Sequence, residues 1–156
     1  MSASDVILFS HPTFGVLGVL AAVWVFVEAL NADDANKDRI RLACYTVTVC
    51  IVLAWILGGY WYTHFYGADK AEIVKGPVPW AHSIFMETKE HLFFIPAILA
   101  LYLPFVGRLN LARNAKARVM TLVVSGLIVL NGLAIEGAGA IINFGAKAAY
   151  MHAAGA

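Results

Sequence analysis

Long runs without a charged residue constrain the fold of this chain more than any other feature. No Asp, Glu, Lys or Arg occurs in the 22 residues between Asp5 and Glu28, nor in the 27 residues between Arg41 and Asp69. A helix needs about 20 apolar residues to cross the roughly 30 Å hydrocarbon core of a bilayer. Each run therefore predicts one membrane-spanning helix.

Two further runs complete the predicted fold. Residues 92–107 are uncharged, and 119–146 are interrupted only by Glu136. The sequence therefore predicts an all-α membrane protein, an up-down-up-down four-helix transmembrane bundle, with residues 1–156 forming a single membrane domain. The helices are expected at approximately 8–30, 41–66, 80–106 and 117–146. The stretch 67–79 contains Gly67, Gly76, Pro77 and Pro79 and is expected to be a loop.

Composition and charge exclude several other classes. The chain is 61% apolar and only 13% charged, whereas a soluble domain is about 45–50% apolar and about 25% charged. The formal net charge is +1, too balanced for a phosphate-binding surface, so nucleic acid is not an expected partner. Cys44 and Cys50 show no metal-binding or redox spacing and are expected to be buried. Residues 1–10 lack the Lys or Arg of a signal peptide, so the first helix is expected to remain in the mature protein.

The basic residues predict an orientation, because short cytoplasmic loops are enriched in Lys and Arg. Seven of the 11 fall in the first and last predicted connections: Lys37, Arg39, Arg41, Arg108, Arg113, Lys116 and Arg118. Both termini are therefore expected to lie outside. In an up-down-up-down path, all five histidines then lie near the outer surface, namely His11, His64, His82, His91 and His152.

Facing helices of a four-helix bundle commonly hold a metal or haem through imidazoles. The candidate ligands are His11, His64 and His91, and the spacing leaves open which pair would act. His82 is nine residues from His91 and so points to the opposite side of a straight helix, where it is expected in the membrane interface. Glu87 lies one turn from His91 and could orient its imidazole. Histidines that only cap helix ends at the interface are the alternative interpretation.

Glu136 is the main ionisable residue inside a predicted span. Such residues are costly in a bilayer, usually face the bundle interior and mark a proton path or a cofactor site. Glu136 and Glu87 are therefore the candidate proton-accepting groups. Glycines near Glu136 would permit close helix packing or leave room for a macrocycle.

Three features together suggest a family: Ser10-His11-Pro12 at the start of the first helix, a His that opens the third, and a Gly/Glu-rich fourth helix ending near a His. In these features the chain resembles an uncharacterised bacterial family of small four-helix inner-membrane proteins. The resemblance implies a multi-pass protein of the bacterial inner membrane and carries over to His11, His91 and Glu136. More loosely, the chain is similar to four-helix membrane b-type cytochromes, and that similarity implies one haem b.

The favoured prediction is a membrane electron-transfer subunit that binds one haem b near the outer, periplasmic face. Quinol oxidation could accompany electron transfer, with a quinone and a periplasmic electron carrier as partners besides the lipid bilayer. One alternative is a transporter or a non-haem site for a single metal ion, copper, zinc or iron, at His11, His64 and His91. Another is a structural subunit that assembles with other membrane subunits. No P-loop, GxGxxG, GxSxG or HExxH motif is present, so the pattern leaves open whether the chain is an enzyme.

Overall fold

A computed structural model describes residues 3–155 of the chain, and the described residues form helices without any strand. The helices are α1 (Ala3–Leu30), α2 (Lys37–His64), α3 (Tyr66–Lys75), α4 (Ala81–Gly107) and α5 (Ala115–Ala153). All except α3 are long and apolar enough to cross a membrane. The predicted all-helical class with four long apolar helices is thus confirmed, and it indicates a multi-pass membrane protein.

The four long helices pack around a square. α1 contacts α2 and α5, and α4 contacts the same two helices. Gly18 of α1 lies against Ile51 of α2, where an added Cβ would be 2.6 Å from the Ile51 Cδ1. The Thr48 hydroxyl on α2 donates a 2.7 Å hydrogen bond to the Ala100 carbonyl of α4. Small residues and side-chain hydrogen bonds of this kind are what hold helices together in a lipid environment.

One end of the bundle carries two short connections and is called here the loop end, made of residues 31–36 and 108–114. The Arg113 guanidinium forms a 2.9 Å ion pair with Asp34 across these connections. The Asn110 side-chain amide donates a 3.0 Å hydrogen bond to the same carboxylate. These hydrogen bonds lower the pKa of Asp34, and the positive charge of Arg113 adds to the effect. A large apolar cluster, including Ala22, Val25, Val47 and Leu103, fills the bundle next to this end.

The opposite end is closed by a cap, defined as α3, the segment Ala81–Met86 and residues 141–150 of α5. Its core contains Tyr66, Ile73, Ala81, Met86 and Ile142. α5 has 39 residues and at 1.5 Å per residue is about 58 Å long. It therefore extends well beyond a hydrocarbon core of roughly 30 Å, and the cap packs on this extension.

The cap differs from the sequence prediction. Stretch 67–79, expected to be a loop, is helical as far as Lys75, since the Gly and Pro residues lie only at its two ends. Asp69 in the first turn and Lys75 in the last also suit the helix dipole. α5 ends at Ala153 rather than near 146, because residues 146–153 contain good helix formers and no Gly or Pro.

α4 begins irregularly. Ala81–Met86 winds as a π-helix, and Glu87–Leu92 and Phe94–Gly107 continue as α-helix. π-helical turns are rare and frequently occur at functional sites. The start of α4, residues 81–92, joins the cap to the bundle and carries His82, Glu87, Lys89, Glu90 and His91.

Candidate functional site

Three ionisable side chains from three helices meet in the bundle interior below the cap. They are His11 of α1, Lys89 of α4 and Glu136 of α5, and each is partly buried. The Lys89 ammonium group interacts electrostatically with the Glu136 carboxylate and with the His11 imidazole. Because isolated charges are costly in a low-dielectric interior, such groups are expected to pair. These three residues are the interior cluster.

His11 is held by the backbone of α2. Its Nδ1 is 2.8 Å from the Ala54 carbonyl oxygen. A carbonyl can only accept, so Nδ1 carries the hydrogen and the neutral ring has its lone pair on Nε2. The ring also lies over Gly58, where an added Cβ would be 2.6 Å from both Cε1 and Nδ1. The lack of a side chain at Gly58 therefore makes the His11 position possible.

Glu136 and Lys89 also lie opposite glycines. The Glu136 carboxylate occupies the space that a side chain on Gly15 of α1 would need. The Lys89 Nζ is 3.2 Å from where a Cβ on Gly139 of α5 would lie. The three polar side chains thus each face a glycine on a neighbouring helix, and this brings them close to backbone rather than to apolar side chains.

The other predicted site residues lie outside this cluster. His64 and His91 are exposed, and the Nδ1 of each bonds to a carbonyl of its own helix, that of Tyr60 at 3.0 Å and that of Glu87 at 2.6 Å. Glu87 is exposed on the same face of α4 as His91. Over residues 3–155, no three His, Cys, Asp or Glu side chains come together as a metal site would require. The described structure therefore brings together only His11 and Glu136 of the predicted set.

Lys89 is a site residue that the sequence prediction does not select. From sequence it belongs with the basic residues of the outer surface. Helical phase could have identified Lys89, because it places Lys89 on the same face of α4 as His82, Met86 and Glu90. In the structure this face is the more buried one.

A second set of polar side chains lies within the cap. The Tyr66 hydroxyl is 3.0 Å from the His82 Nδ1, and the two residues are only 2% and 5% exposed. Burial raises the pKa of Tyr66. The Tyr62 ring stacks on Tyr66 with centroids 5.4 Å apart, and the Tyr62 hydroxyl interacts with the Glu90 carboxylate. His82, expected in the membrane interface, is therefore enclosed by protein, and its position in a packed cap could not be read from periodicity.

Comparison with known protein families, with characterised proteins and with solved structures finds no match to this chain. The resemblances drawn from His11, His91 and Glu136 accordingly stay predictions.

Proposed function

We propose that this chain is a proton-transfer subunit of a membrane redox system, with the interior cluster as its proton-exchange site. The observation that supports the proposal is the meeting of His11, Lys89 and Glu136 inside the bundle. An ionisable residue within a membrane span most often belongs to a proton relay or a cofactor site. Three such residues from three helices, each opposite a glycine, are difficult to account for by packing alone.

In this proposal the helices cross the bilayer in alternating directions, with the cap on the outer side. Contacts between α1 and α5 support the alternation, since Gly15 lies against Glu136 near the cap and the Arg118 guanidinium bonds to the Ala29 carbonyl at the loop end. Seven of the 11 basic residues lie in or beside the two connections of the loop end. By the positive-inside rule, the loop end is then cytoplasmic and both termini are outside.

In this proposal Lys89 and Glu136 supply the proton chemistry, although their charged groups are not within ion-pair distance in the described structure. In a low-dielectric interior, each charge is stabilised by the other, so loss of one charge favours loss of the second. Transfer of one proton from the ammonium to the carboxylate, through water, leaves a neutral amine and a neutral acid. His11 can take up a proton on Nε2 while its Nδ1–H stays bonded to Ala54. The cluster therefore has two acceptors and one donor on three neighbouring helices.

The cluster is suited to exchange with one side of the membrane only. Between it and the loop end, the described interior is mostly apolar. Its polar groups include the hydroxyls of Thr121 and Ser125, which bond to carbonyls of α5 at 2.9 and 2.7 Å, and the Asn131 side chain, whose Oδ1 is buried without a hydrogen bond in the described structure. A transmembrane proton channel would need polar groups or water through that half. One-sided exchange instead suits a redox reaction that releases its protons outside, such as quinol oxidation.

Haem b is the cofactor that the sequence prediction adds to this proposal. His11 has the features of an axial ligand, because its Nδ1–H bonds to a carbonyl and its Nε2 is free to coordinate. Bis-histidine ligation needs a second imidazole, and His64 and His91 both lie on the exposed surface. The residues of a single chain therefore do not fit a bis-histidine haem, and the proposed proton chemistry does not depend on one. An oxidised and reduced absorption spectrum of protein from haem-replete cells tests the haem prediction separately.

Infrared spectroscopy of the protein in lipid vesicles tests the proton site. We expect a carboxyl band at a higher frequency than that of solvent-exposed carboxyls, as a buried protonated carboxyl gives. We expect it to change with pH, to shift in deuterium oxide and to be absent in Glu136→Gln. Glu72→Gln, which removes a carboxyl from α3, is the matched control and should leave this band unchanged. Glu87→Gln distinguishes the two carboxylates predicted from sequence, because an exposed Glu87 should contribute no such band. Persistence of this high-frequency band in Glu136→Gln would refute the proposal.

A further inference from the structure

Aromatic side chains of α2 and α4 meet on the outer surface of the bundle. Trp55 of α2 stacks on Phe93 of α4 with ring centroids 5.7 Å apart, and Phe94 meets the Trp55 ring edge-on with centroids 5.9 Å apart. Phe93 is partly buried, whereas Trp55 and Phe94 are 37% and 51% exposed. These three residues are called here the aromatic patch. The patch presents aromatic rings to whatever lies beside α2 and α4 in the bilayer.

A hydrogen-bond donor and an acceptor at the patch have no protein partner. The Trp55 indole N–H, which can only donate, makes no hydrogen bond within residues 3–155. The His91 Nδ1 is 2.6 Å from the Glu87 carbonyl oxygen, so it carries the hydrogen and leaves a lone pair on Nε2. His91 precedes Phe94 by three residues, a spacing that makes the two side chains neighbours on one helix face, and both are exposed.

Lipid chains cover the rings of the patch but do not pair these two polar groups. α2 has 28 residues and is about 42 Å long, so it exceeds the hydrocarbon core by roughly 12 Å. Trp55 lies about 14 Å from the cap end of α2. With α2 centred in the membrane, its indole is therefore inside the core, below the headgroup level where tryptophans are usually found. A polar group at this depth costs free energy unless a ligand brings it a partner.

We propose that the aromatic patch and His91 bind a hydroquinone dissolved in the bilayer. The flat quinol ring can pack on Trp55 and Phe94, since aromatic pairs favour offset and edge-on contacts. One quinol hydroxyl can donate to the His91 Nε2, and a quinol oxygen can accept from the Trp55 N–H. The oxidised quinone has only acceptor oxygens, so it can pair with the indole but not with this nitrogen. The inference deepens the proposed function and rests on it for the choice of a redox-active ligand.

The patch lies close in depth to the interior cluster. Ala54, whose carbonyl is 2.8 Å from the His11 Nδ1, directly precedes Trp55 in α2. On α4, the Phe93 N–H donates a 3.1 Å hydrogen bond to the Lys89 carbonyl. The turns of α2 and α4 that carry the patch are thus the turns that contact or carry two members of the cluster. A quinol bound at the patch would lie at about the depth of the proposed proton-exchange site.

Binding of a radiolabelled short-chain ubiquinone tests the site, with the full chain in lipid nanodiscs and empty nanodiscs subtracted. The same compound kept reduced under anaerobic conditions gives the affinity for the quinol. We expect saturable binding, tighter for the quinol than for the quinone by roughly three- to tenfold, about the contribution of one hydrogen bond. His91→Ala should abolish this preference. Trp55→Phe, which keeps an aromatic ring but removes the N–H, should weaken binding of both forms by roughly threefold or more.

Two exposed residues elsewhere provide matched controls. Trp24 is also 37% exposed, but its indole N–H donates a 3.2 Å hydrogen bond to Glu28. His64 is exposed and bonds through Nδ1 to the Tyr60 carbonyl of its own helix at 3.0 Å, as His91 does with Glu87. Trp24→Phe and His64→Ala should leave both affinities at their wild-type values.

The outcomes distinguish the quinol site from the proton site. Binding no greater than that of empty nanodiscs would overturn the inference and show that lipid alone covers the patch. A quinol preference that is absent in the wild type, or that survives in His91→Ala, would overturn it as well, and so would equal losses in the two controls. If Trp55→Phe does not fold, His91→Ala decides alone, since His91 is exposed. Quinol binding without the high-frequency Glu136 band would retain this site and remove the proton site, and the band without quinol binding would do the reverse.

Discussion

Replacing Gly58 with alanine should displace His11 from its position between α1 and α2. The added methyl carbon would lie 2.6 Å from two atoms of the imidazole, far inside van der Waals contact. The ring cannot simply move away, because its Nδ1 is bonded to the Ala54 carbonyl at 2.8 Å. Either the helices separate or this hydrogen bond breaks. Overpacking costs about 1–3 kcal/mol, and an interhelical hydrogen bond in a membrane contributes about 0.6 kcal/mol.

Gly59 provides the matched control, since nothing lies within 4 Å of an added Cβ there. Alanine favours a helix over glycine by up to about 1 kcal/mol at either position. Gly59→Ala should therefore be neutral or slightly stabilising. Gly58→Ala should be less stable than Gly59→Ala by about 1–3 kcal/mol, the cost of overpacking, or by at least about 0.6 kcal/mol where the ring gives up its hydrogen bond instead.

Equilibrium unfolding in mixed micelles with increasing SDS, followed by circular dichroism, measures this difference. A double-mutant cycle assigns its cause. In a His11→Ala background the imidazole is gone, so the penalty of Gly58→Ala should disappear and the helix-propensity gain should remain. Equal stability of Gly58→Ala and Gly59→Ala in the wild-type background would refute the packing of His11 on Gly58. A penalty that persists without the imidazole would show that the methyl group meets something else.

Two further predictions concern the loop-end half of the bundle. Leu103→Ala should destabilise the fold by about 2 kcal/mol in the same unfolding assay. This is the low end for a buried leucine, because detergent also keeps the unfolded side chain from water. Leu101→Ala, at an exposed position, should change stability by less than about 0.5 kcal/mol. The hydrogen bonds from Asn110 and Arg113 lower the pKa of Asp34, so its stabilising contribution is present above the unfolded pKa and is lost as pH falls through the lowered folded value. Asp34→Asn should be less stable than the wild type near neutral pH, and the two unfolding midpoints should converge in acid.

The sequence predicts the long helices well because a membrane span requires a long apolar run without charged residues. A run of about 20 apolar residues without charge is typical of a membrane span and uncommon elsewhere, so α1 and α2 are found within a few residues of their observed ends. The cap is not predicted, because its formation depends on tertiary packing. α3 is short, and only its contacts with the extension of α5 give it a core around Ile73.

The interior cluster is predicted only in part for a related reason. His11 and Glu136 are conspicuous as polar residues within apolar runs, whereas Lys89 lies in the polar start of α4 and resembles a surface residue. Helical phase divides α4 correctly into two faces, one with Glu87 and His91 and the other with Lys89. Phase alone cannot say which face is covered by neighbouring helices, and the face predicted to carry the ligand is the exposed one.

The glycines show why position in the fold decides what a small residue does. Gly18 and Gly132 would meet the apolar side chains of Ile51 and Val19 if a Cβ were added, and this is the ordinary role of glycine between membrane helices. Gly15, Gly58 and Gly139 instead face Glu136, His11 and Lys89. A side chain at any of these three positions would compete with an ionisable group for interior space and push it towards lipid or the cap, where its charge would be stabilised differently. The proposed proton-exchange site therefore depends on three residues that carry no chemistry, and their substitution should impair it while leaving the three ionisable groups in the chain.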